Sequence, residues 1–354
     1  LGCPDGESPG LTSRNPPPMP TTRSRKRKSP SVDAELPSTR GGRKSSRISR
    51  EINVDSDDGR QWKGPFCFAQ LADTQLGCLT GDESFEEELN MMEIAVAQLN
   101  KLSPKFVIVC GDMVNAFPNQ VKKQDAQIAA YKKAMSKLNK KIPAVCVCGN
   151  HDIGNKPTRA TIKRYEEKFG NPDYFTFWIG GVKCIVINSS LYKDSSLAKD
   201  LATDHDRWLM SELKRSKIEK PKHTLVFAHI PPFINKPDEP DGYFNWDQNS
   251  RSRVLSALKA ANVTTMFCGH YHRNAGGWDE SLEVVITSAV GCQLKARGDP
   301  LGLPVDFTNP ALGKDVSGFR VVRVREGDVR HKWFVLEKMP VKMDANSKFW
   351  TEKK

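Results

Sequence analysis

Five short apolar runs in this chain each end on side chains able to bind a metal ion. That recurrence constrains the fold more than any other feature. Residues 66–72 lead into Asp73-Thr74-Gln75, and residues 106–110 lead into Gly111-Asp112. Residues 144–148 run into Gly149-Asn150-His151-Asp152, residues 224–228 into His229, and residues 265–268 into Gly269-His270-Tyr271-His272. Four of the seven His in the chain fall at these run ends, so the concentration belongs to position rather than composition. Short apolar runs bounded by Gly and polar residues read as buried strands. Where such strands are joined through helices, the loops at their open ends converge on one crevice. Gly directly before the ligand in three of the loops suits tight turns at that rim.

The intervening segments carry helical periodicity. Residues 84–102 place Leu89, Met92, Val96 and Leu99 at steps of three and four, which predicts a helix. Further helices are predicted over 124–138, 160–169, 204–217 and 250–260. Strands over 174–179 and 183–188 flank Gly180-Gly181, a hairpin signal. Late strands are predicted over 282–288, 318–325 and 329–337. Units of βαβ type followed by antiparallel hairpins argue for an α/β fold: a β-sandwich of mixed sheets flanked by helices, rather than one parallel doubly wound sheet. One domain is expected over 61–340, with a polar C-terminal tail over 341–354.

Charge separates the folded part from what precedes it. Residues 22–50 hold 10 Lys/Arg against 2 Asp/Glu, and residues 1–60 contain no aromatic residue while being rich in Pro, Ser and Gly. Such a segment buries too little apolar surface to offset its ordering entropy, so 1–60 is expected to be a disordered basic tail. Within it, Arg25-Lys26-Arg27-Lys28 before Ser29-Pro30 reads either as a nuclear-import or nucleic-acid patch, with Ser29 a phosphorylation site, or as solvated charge. The excess of 54 Lys+Arg over 42 Asp+Glu suits an anionic partner, but without interleaved aromatics it offers nucleic acid only weak, salt-dependent attraction. No apolar run approaches the ~18–20 residues of a membrane span, and none of the kind a secretory signal needs follows Leu1. Nine Cys is an odd number, and five of them (Cys110, Cys146, Cys148, Cys184 and Cys268) lie in β-like runs. This usage suits a reducing compartment.

The ligand types at the run ends fit a two-metal site. Such a site needs a bridging anionic oxygen, for which Asp112 is the candidate. Neutral imidazoles from His229, His270 and His272 and the amide oxygen of Asn150 add ligands without excess negative charge. The ions then keep the Lewis acidity that activates water for attack on phosphorus. A further imidazole, His151, is the candidate proton donor to the leaving oxygen.

The ordered set Asp73-x-Gln75, Gly111-Asp112, Gly149-Asn150-His151-Asp152, His229 and Gly269-His270-x-His272 resembles the calcineurin-like metallophosphoesterase superfamily over about residues 65–337. The segments WKGPF at 62–66, GNHDIGN at 149–155, GHYHRNAGG at 269–277 and GCQL at 291–294 resemble a group of serine/threonine phosphoprotein phosphatases within it. The resemblance implies a chiefly cytoplasmic phosphatase acting on phosphorylated protein. It implies one metal held by Asp73, Gln75, Asp112 and His272, a second by Asp112, Asn150, His229 and His270, and a catalytic His151 facing the phosphate.

Two departures from the superfamily pattern matter. Gln75 stands where His is usual, and its harder carbonyl oxygen favours Mn²⁺ or Mg²⁺ over Zn²⁺ or iron. In the large Ser/Thr phosphatase family an Asp and an Arg follow the Gly-Asp motif; here those positions are Asn115 and Ala116. The substrate clamp must then come from elsewhere, and Arg273 is the candidate. Two other readings stay open: a phosphodiesterase or nuclease using the same centre, and a non-catalytic metal-binding scaffold.

Overall fold

In the computed structural model, the described residues are 50–54, 59–293, 317–340 and 344–346. The basic cluster 25–28, Ser29, Leu294 of the GCQL segment and most of the 341–354 tail lie outside them. In chain order the elements are β1 (Phe66–Leu71), α1 (Glu86–Leu102), β2 (Val107–Cys110), α2 (Val121–Met135), β3 (Ala144–Val147), α3 (Asn150–Ile153) and α4 (Arg159–Phe169). They continue with β4 (Phe175–Ile179), β5 (Val182–Val186), α5 (Ser190–Lys193), α6 (Lys199–Glu219), β6 (His223–Phe227), α7 (Gln248–Ala260) and β7 (Val263–Cys268). The antiparallel strands β8 (Ala275–Asp279), β9 (Leu282–Ile286), β10 (Gly318–Val324) and β11 (Val329–Val335) complete the set.

Two mixed sheets face each other. One has the order β11-β10-β1-β2-β3, the other β4-β5-β6-β7-β9-β8. Strands β1, β2 and β3 run parallel in the first, as do β5, β6, β7 and β9 in the second. Period-two alternation makes each strand two-sided. In β1 and β2, Phe68, Ile108 and Cys110 turn into the core between the sheets. Their neighbours Cys67, Ala69, Leu71, Val107 and Val109 turn outward into a second core with α1, α2 and α4. A third core lies between the other sheet and α6 and α7. Stacked Phe68 and Phe106, 4.5 Å between centroids, anchor the middle layer. The α/β sandwich of mixed sheets flanked by helices is therefore the observed architecture.

The β4–β5 hairpin turns on Gly180 and Gly181, with φ of 56° and 83°. Two positive φ values in a two-residue loop are the twist-matched hairpin geometry that glycine adopts at no steric cost. Helix α2 starts and ends three residues before the expected 124–138, because Leu138, buried in the outer core beyond the helix end, extends the apolar periodicity. Strand β8 and the short helices α3 and α5 carry too few periodic residues to be read from sequence.

Both ends of the domain differ from the expected boundaries. The Arg50 guanidinium pairs with buried Asp173 at 2.9 Å and lies 3.6 Å over the Tyr174 ring. Ile52 N–H donates to the Thr176 carbonyl and Thr176 N–H to that of Arg50, both on the edge strand β4. The domain therefore takes in residues 50–54, inside the stretch expected to be disordered. At the other end Ala345, inside the expected polar tail, is buried and its carbonyl accepts from Arg325 Nε at 3.2 Å.

Candidate metal centre

The first three parallel strands of one sheet and β6 and β7 of the other deliver their C-terminal ends to one mouth. Backbone hydrogen bonds stitch the loops there. Asp73 N–H donates to Gly111 O (3.1 Å), Gln75 N–H to Asp112 O (2.9 Å), and Gly269 N–H to His229 O (3.0 Å). The glycines are set by close approach. A Cβ on Gly111 would overlap the His229 ring, and one on Gly149 would overlap the Asp112 carboxylate. Five of the ten non-glycine residues with positive φ among the described residues are Asp73, Gln75, Asp112, His270 and His272. Left-handed backbone of this kind persists only where the surroundings over-determine it, and it gathers at ligand sites.

All seven ligand candidates come together. Asp112 Oδ2 lies 3.1 Å from His229 Nε2, which is 3.0 Å from Asn150 Oδ1. Ligand atoms of Asp112, His229 and His270 fall within 4.8 Å of one another. His272 Nε2 is 3.3 Å from Asp73 Oδ1, and the Asp73 carboxylate also accepts the His270 N–H, at 2.9 Å to Oδ2. Carbonyl partners fix two imidazole tautomers: His229 Nδ1 donates to Cys110 O at 2.8 Å, and His272 Nδ1 donates to Cys292 O. Each ring then points its Nε2 inward, the usual support of a metal-binding His.

Electrostatics follow from this crowding. Burial opposes charge on Asp112, but His229 and His151 outweigh it and hold the carboxyl below the usual carboxylate range. Burial likewise opposes protonation of His229 and His272. Asp112 overcomes it for the first and Asp73 for the second, raising both to about 9. His270, pushed well down by burial and by His229, stays neutral.

Gln75 tests whether the site fits metal. Its Nε2 donates to Asn115 Oδ1 at 3.1 Å, while its Oε1 is buried and accepts no hydrogen bond among the described residues. A buried carbonyl oxygen left this way is costly in a purely protein environment. A divalent ion satisfies it, and a donor set of carboxylate, amide and imidazole without thiolate suits such ions.

His151 lines the cleft beside the ligands. Its N–H donates to Asp112 Oδ1 at 2.8 Å and its ring stacks on Phe117 at 4.2 Å. Its Nδ1 contacts the Asn115 backbone carbonyl. Asn115 thus engages the histidine through its main chain, while its side chain donates to Asp82 at 2.8 Å and accepts from Gln75. Arg273 is engaged by the Tyr271 phenol, with the guanidinium 5.0 Å over the ring and donating to Oη at 3.1 Å.

Some contributors escaped sequence reasoning. Asp152 accepts the backbone N–H groups of Gly149 (2.7 Å), Asp112 (2.9 Å) and Met113 (3.2 Å), fixing the ligand loops. Its place in the Gly-Asn-His-Asp run was the available signal. Tyr243 and Phe244 wall the cleft from a loop without periodicity, where sequence gave no signal. The cleft encloses about 610 Å³.

The calcineurin-like phosphoesterase family model matches residues 67–274. The serine/threonine-protein phosphatase CPPED1 of Danio rerio is 40% identical over 294 residues, covering 80% of this chain and 89% of that protein. The human protein of that name is 36% identical, covering 80% and 87%. Among solved structures, a dimetal phosphatase from Danio rerio shares the fold, with a TM-score of 0.53 at 16% identity over 77% of this chain and 96% of that one.

Proposed function

The chain belongs to the calcineurin-like phosphoesterase family, and from that membership we propose that it dephosphorylates serine and threonine residues of proteins. It is a metal-dependent phosphoric monoester hydrolase of the dinuclear type. We assign one ion to Asp73, Gln75, Asp112 and His272, and the other to Asp112, Asn150, His229 and His270. When bound, the two ions supply Lewis acidity to the phosphoryl group and to the attacking water. The chain's own residues do the rest. Asp112 holds the His151 main chain, and Asn115 O and Phe117 fix the ring. With Nδ1 turned to the carbonyl, Nε2 is the atom placed to hand a proton to the departing serine or threonine oxygen. Tyr243 and Phe244 close one side of the cleft.

The observation that carries this reading is the orphaned Gln75 oxygen inside a set of donors drawn from both sheets. Because that oxygen is hard, Mn²⁺ or Mg²⁺ is the native metal we propose. Free cysteines throughout the described residues support a cytoplasmic location.

The test is metal analysis of the full chain with a panel of phosphopeptides, aryl phosphomonoesters, nucleotides and phosphodiesters. Monoester turnover is expected. Asp112→Asn should lose metal and activity together, whereas His151→Ala should keep metal and lose about 10²–10⁴ in kcat. Turnover of diesters alone, or full activity in Asp112→Asn, would overturn the proposal.

A further inference from the structure

The cleft does not end at the metal-side residues. Phe117 and Asn155 line it and also line a second cavity of about 500 Å³, formed by residues 117–120, 153–156 and Thr161. His151 stacks on this same Phe117. A single phosphoserine side chain leaves the second cavity empty, but the polypeptide carrying it has to leave the cleft somewhere.

The chemistry of the two exits differs. Among the described residues, no carboxylate lines the second cavity, and Lys156 is its single charged lining side chain. The Lys156 side chain is 62% exposed and makes a long 3.6 Å pair with Asp194. Helix α2 opens directly from Gln120 at the cavity edge, with no acidic residue in its first turn and Lys122 and Lys123 exposed there. Of the nearby carboxylates, Asp125 pairs with Arg164 at 2.8 Å, and Asp82 is turned to the amides of Asn115 and Gln127, at 2.8 Å each, and does not line the cavity. On the other side of Phe244 lies a smaller cavity of about 140 Å³ whose lining carries Lys236 as well as Glu239 and Asp241, the last paired with Arg251 at 3.5 Å. That side offers a mixed set of charges, whereas the Phe117–Asn155 side offers a cation with no carboxylate beside it in the lining, which favours an acidic peptide there.

We infer that the second cavity is a substrate subsite for an acidic residue flanking the phosphorylated one, with Lys156 as its specificity-determining cation. The inference rests on the phosphoprotein reading above. The substrate segment crosses the Phe117–Asn155 saddle with its phosphate at the metal mouth, and a neighbouring Asp or Glu carboxylate meets the Lys156 ammonium. A half-exposed pair of this kind acts mainly on encounter and KM, not on the chemical step.

The experiment compares kcat/KM of the Mn²⁺-loaded full chain on phosphoserine peptides that are neutral or carry one glutamate at successive positions on either side. An aryl phosphate is measured on the same preparations. The wild type should favour the best acidic peptide over the neutral one by about fivefold, through KM. Lys156→Glu should bring that ratio to one or below, and Lys156→Arg should restore it. Equal turnover of acidic and neutral peptides, or a preference that Lys156→Glu leaves intact, overturns the inference alone. Aryl phosphate turnover without any peptide turnover overturns the phosphoprotein reading and the inference with it. No turnover of either substrate overturns the phosphatase proposal itself.

Discussion

Left-handed backbone at a non-glycine residue needs a reason, and the ten cases here divide by cause. Ser103 and Lys220 end helices, where the αL conformation is an ordinary stop. Asp73, Gln75, Asp112, His270 and His272 end strands instead. Each carries a price of about 1 kcal/mol or more, sustained because the turn aims a polar side chain back into the mouth. The candidate ligand residues stood out in sequence because metal chemistry admits few residue types, and those types recur after apolar runs. The partner of His151 was half legible: position 115 was singled out for its missing carboxylate, while the main-chain carbonyl that replaces it has no sequence signature. The contact of Arg273 with Tyr271 was not legible, because adjacency to His272 says nothing about the ring that engages it. The same crowding sets a pH dependence. His229 and His272 have pKa values raised from 6.5 to about 9 in the ion-free protein. Their pairing with Asp112 and Asp73 therefore adds stability fully present below about 6.5 and lost as pH rises through about 9. A divalent ion must displace both protons, so its affinity grows over the same window. Thermal unfolding with chelator and with Mn²⁺ should show an ion-induced stabilisation that widens from pH 6.5 towards pH 9. A gap independent of pH would mean that these imidazoles do not ligate.

Elements were legible in proportion to their periodicity. Helix α1, with an apolar face over 17 residues, and the β4–β5 hairpin, with its paired glycines, have strong local signals. Strand β8 reads Ala-Gly-Gly-Trp-Asp and is defined by pairing with β9, a tertiary fact. Helix α6 begins five residues before the expected start at 204, because its first turns are polar and lack a side-chain cap. Strand β5 poses the sharper problem, since Lys183 lies fully buried in the middle of the domain. Its ammonium meets Glu212 at 3.1 Å and Glu219 at 2.7 Å, both on α6. The pair locks the helix to the sheet, and replacing only the cation leaves buried Glu212 with the half-exposed Arg215, 3.2 Å away, as its remaining cation. Lys183→Ala should lower unfolding stability by about 1–3 kcal/mol, read from the denaturant midpoint. Glu212→Gln in the same background should recover part of the loss; no recovery would assign the effect to packing of the lysine stem.

At the scale of the molecule, neither sheet holds the site alone. Asp73, Gln75, Asp112, Asn150 and His151 follow strands of one sheet, while His229, His270 and His272 follow strands of the other. Their register is fixed by the phenylalanine layer and by buried polar tethers. Arg320 on β10 donates from Nε to Thr287 at 2.8 Å and from Nη2 to Asn274 at 2.6 Å, across the sheet interface. The sandwich itself was readable from βαβ alternation followed by late hairpins. Its N-terminal boundary was not, because residues 50–54 are too few and too polar to carry a period. What fixes them is tertiary. Arg50 supplies the cation for Asp173, whose other oxygen accepts from Asn188 at 2.9 Å, and Ile52, Val54 and Trp62 pack against the open side of the inter-sheet core. Arg60 adds a guanidinium 4.5 Å over Trp178 and a 3.3 Å pair with Glu219, the acid that also serves Lys183. A chain beginning at residue 61 would strip these contacts and leave the Asp173 carboxylate buried with one neutral partner. Compared with a chain beginning at residue 49, it should lose roughly 1–3 kcal/mol of stability, the worth of a hydrogen bond to a buried charge. Arg50→Ala in the longer chain should reproduce most of the loss. Equal denaturant midpoints for all three would show that residues 50–60 rest against the domain without holding it, and would move the working boundary back to 61.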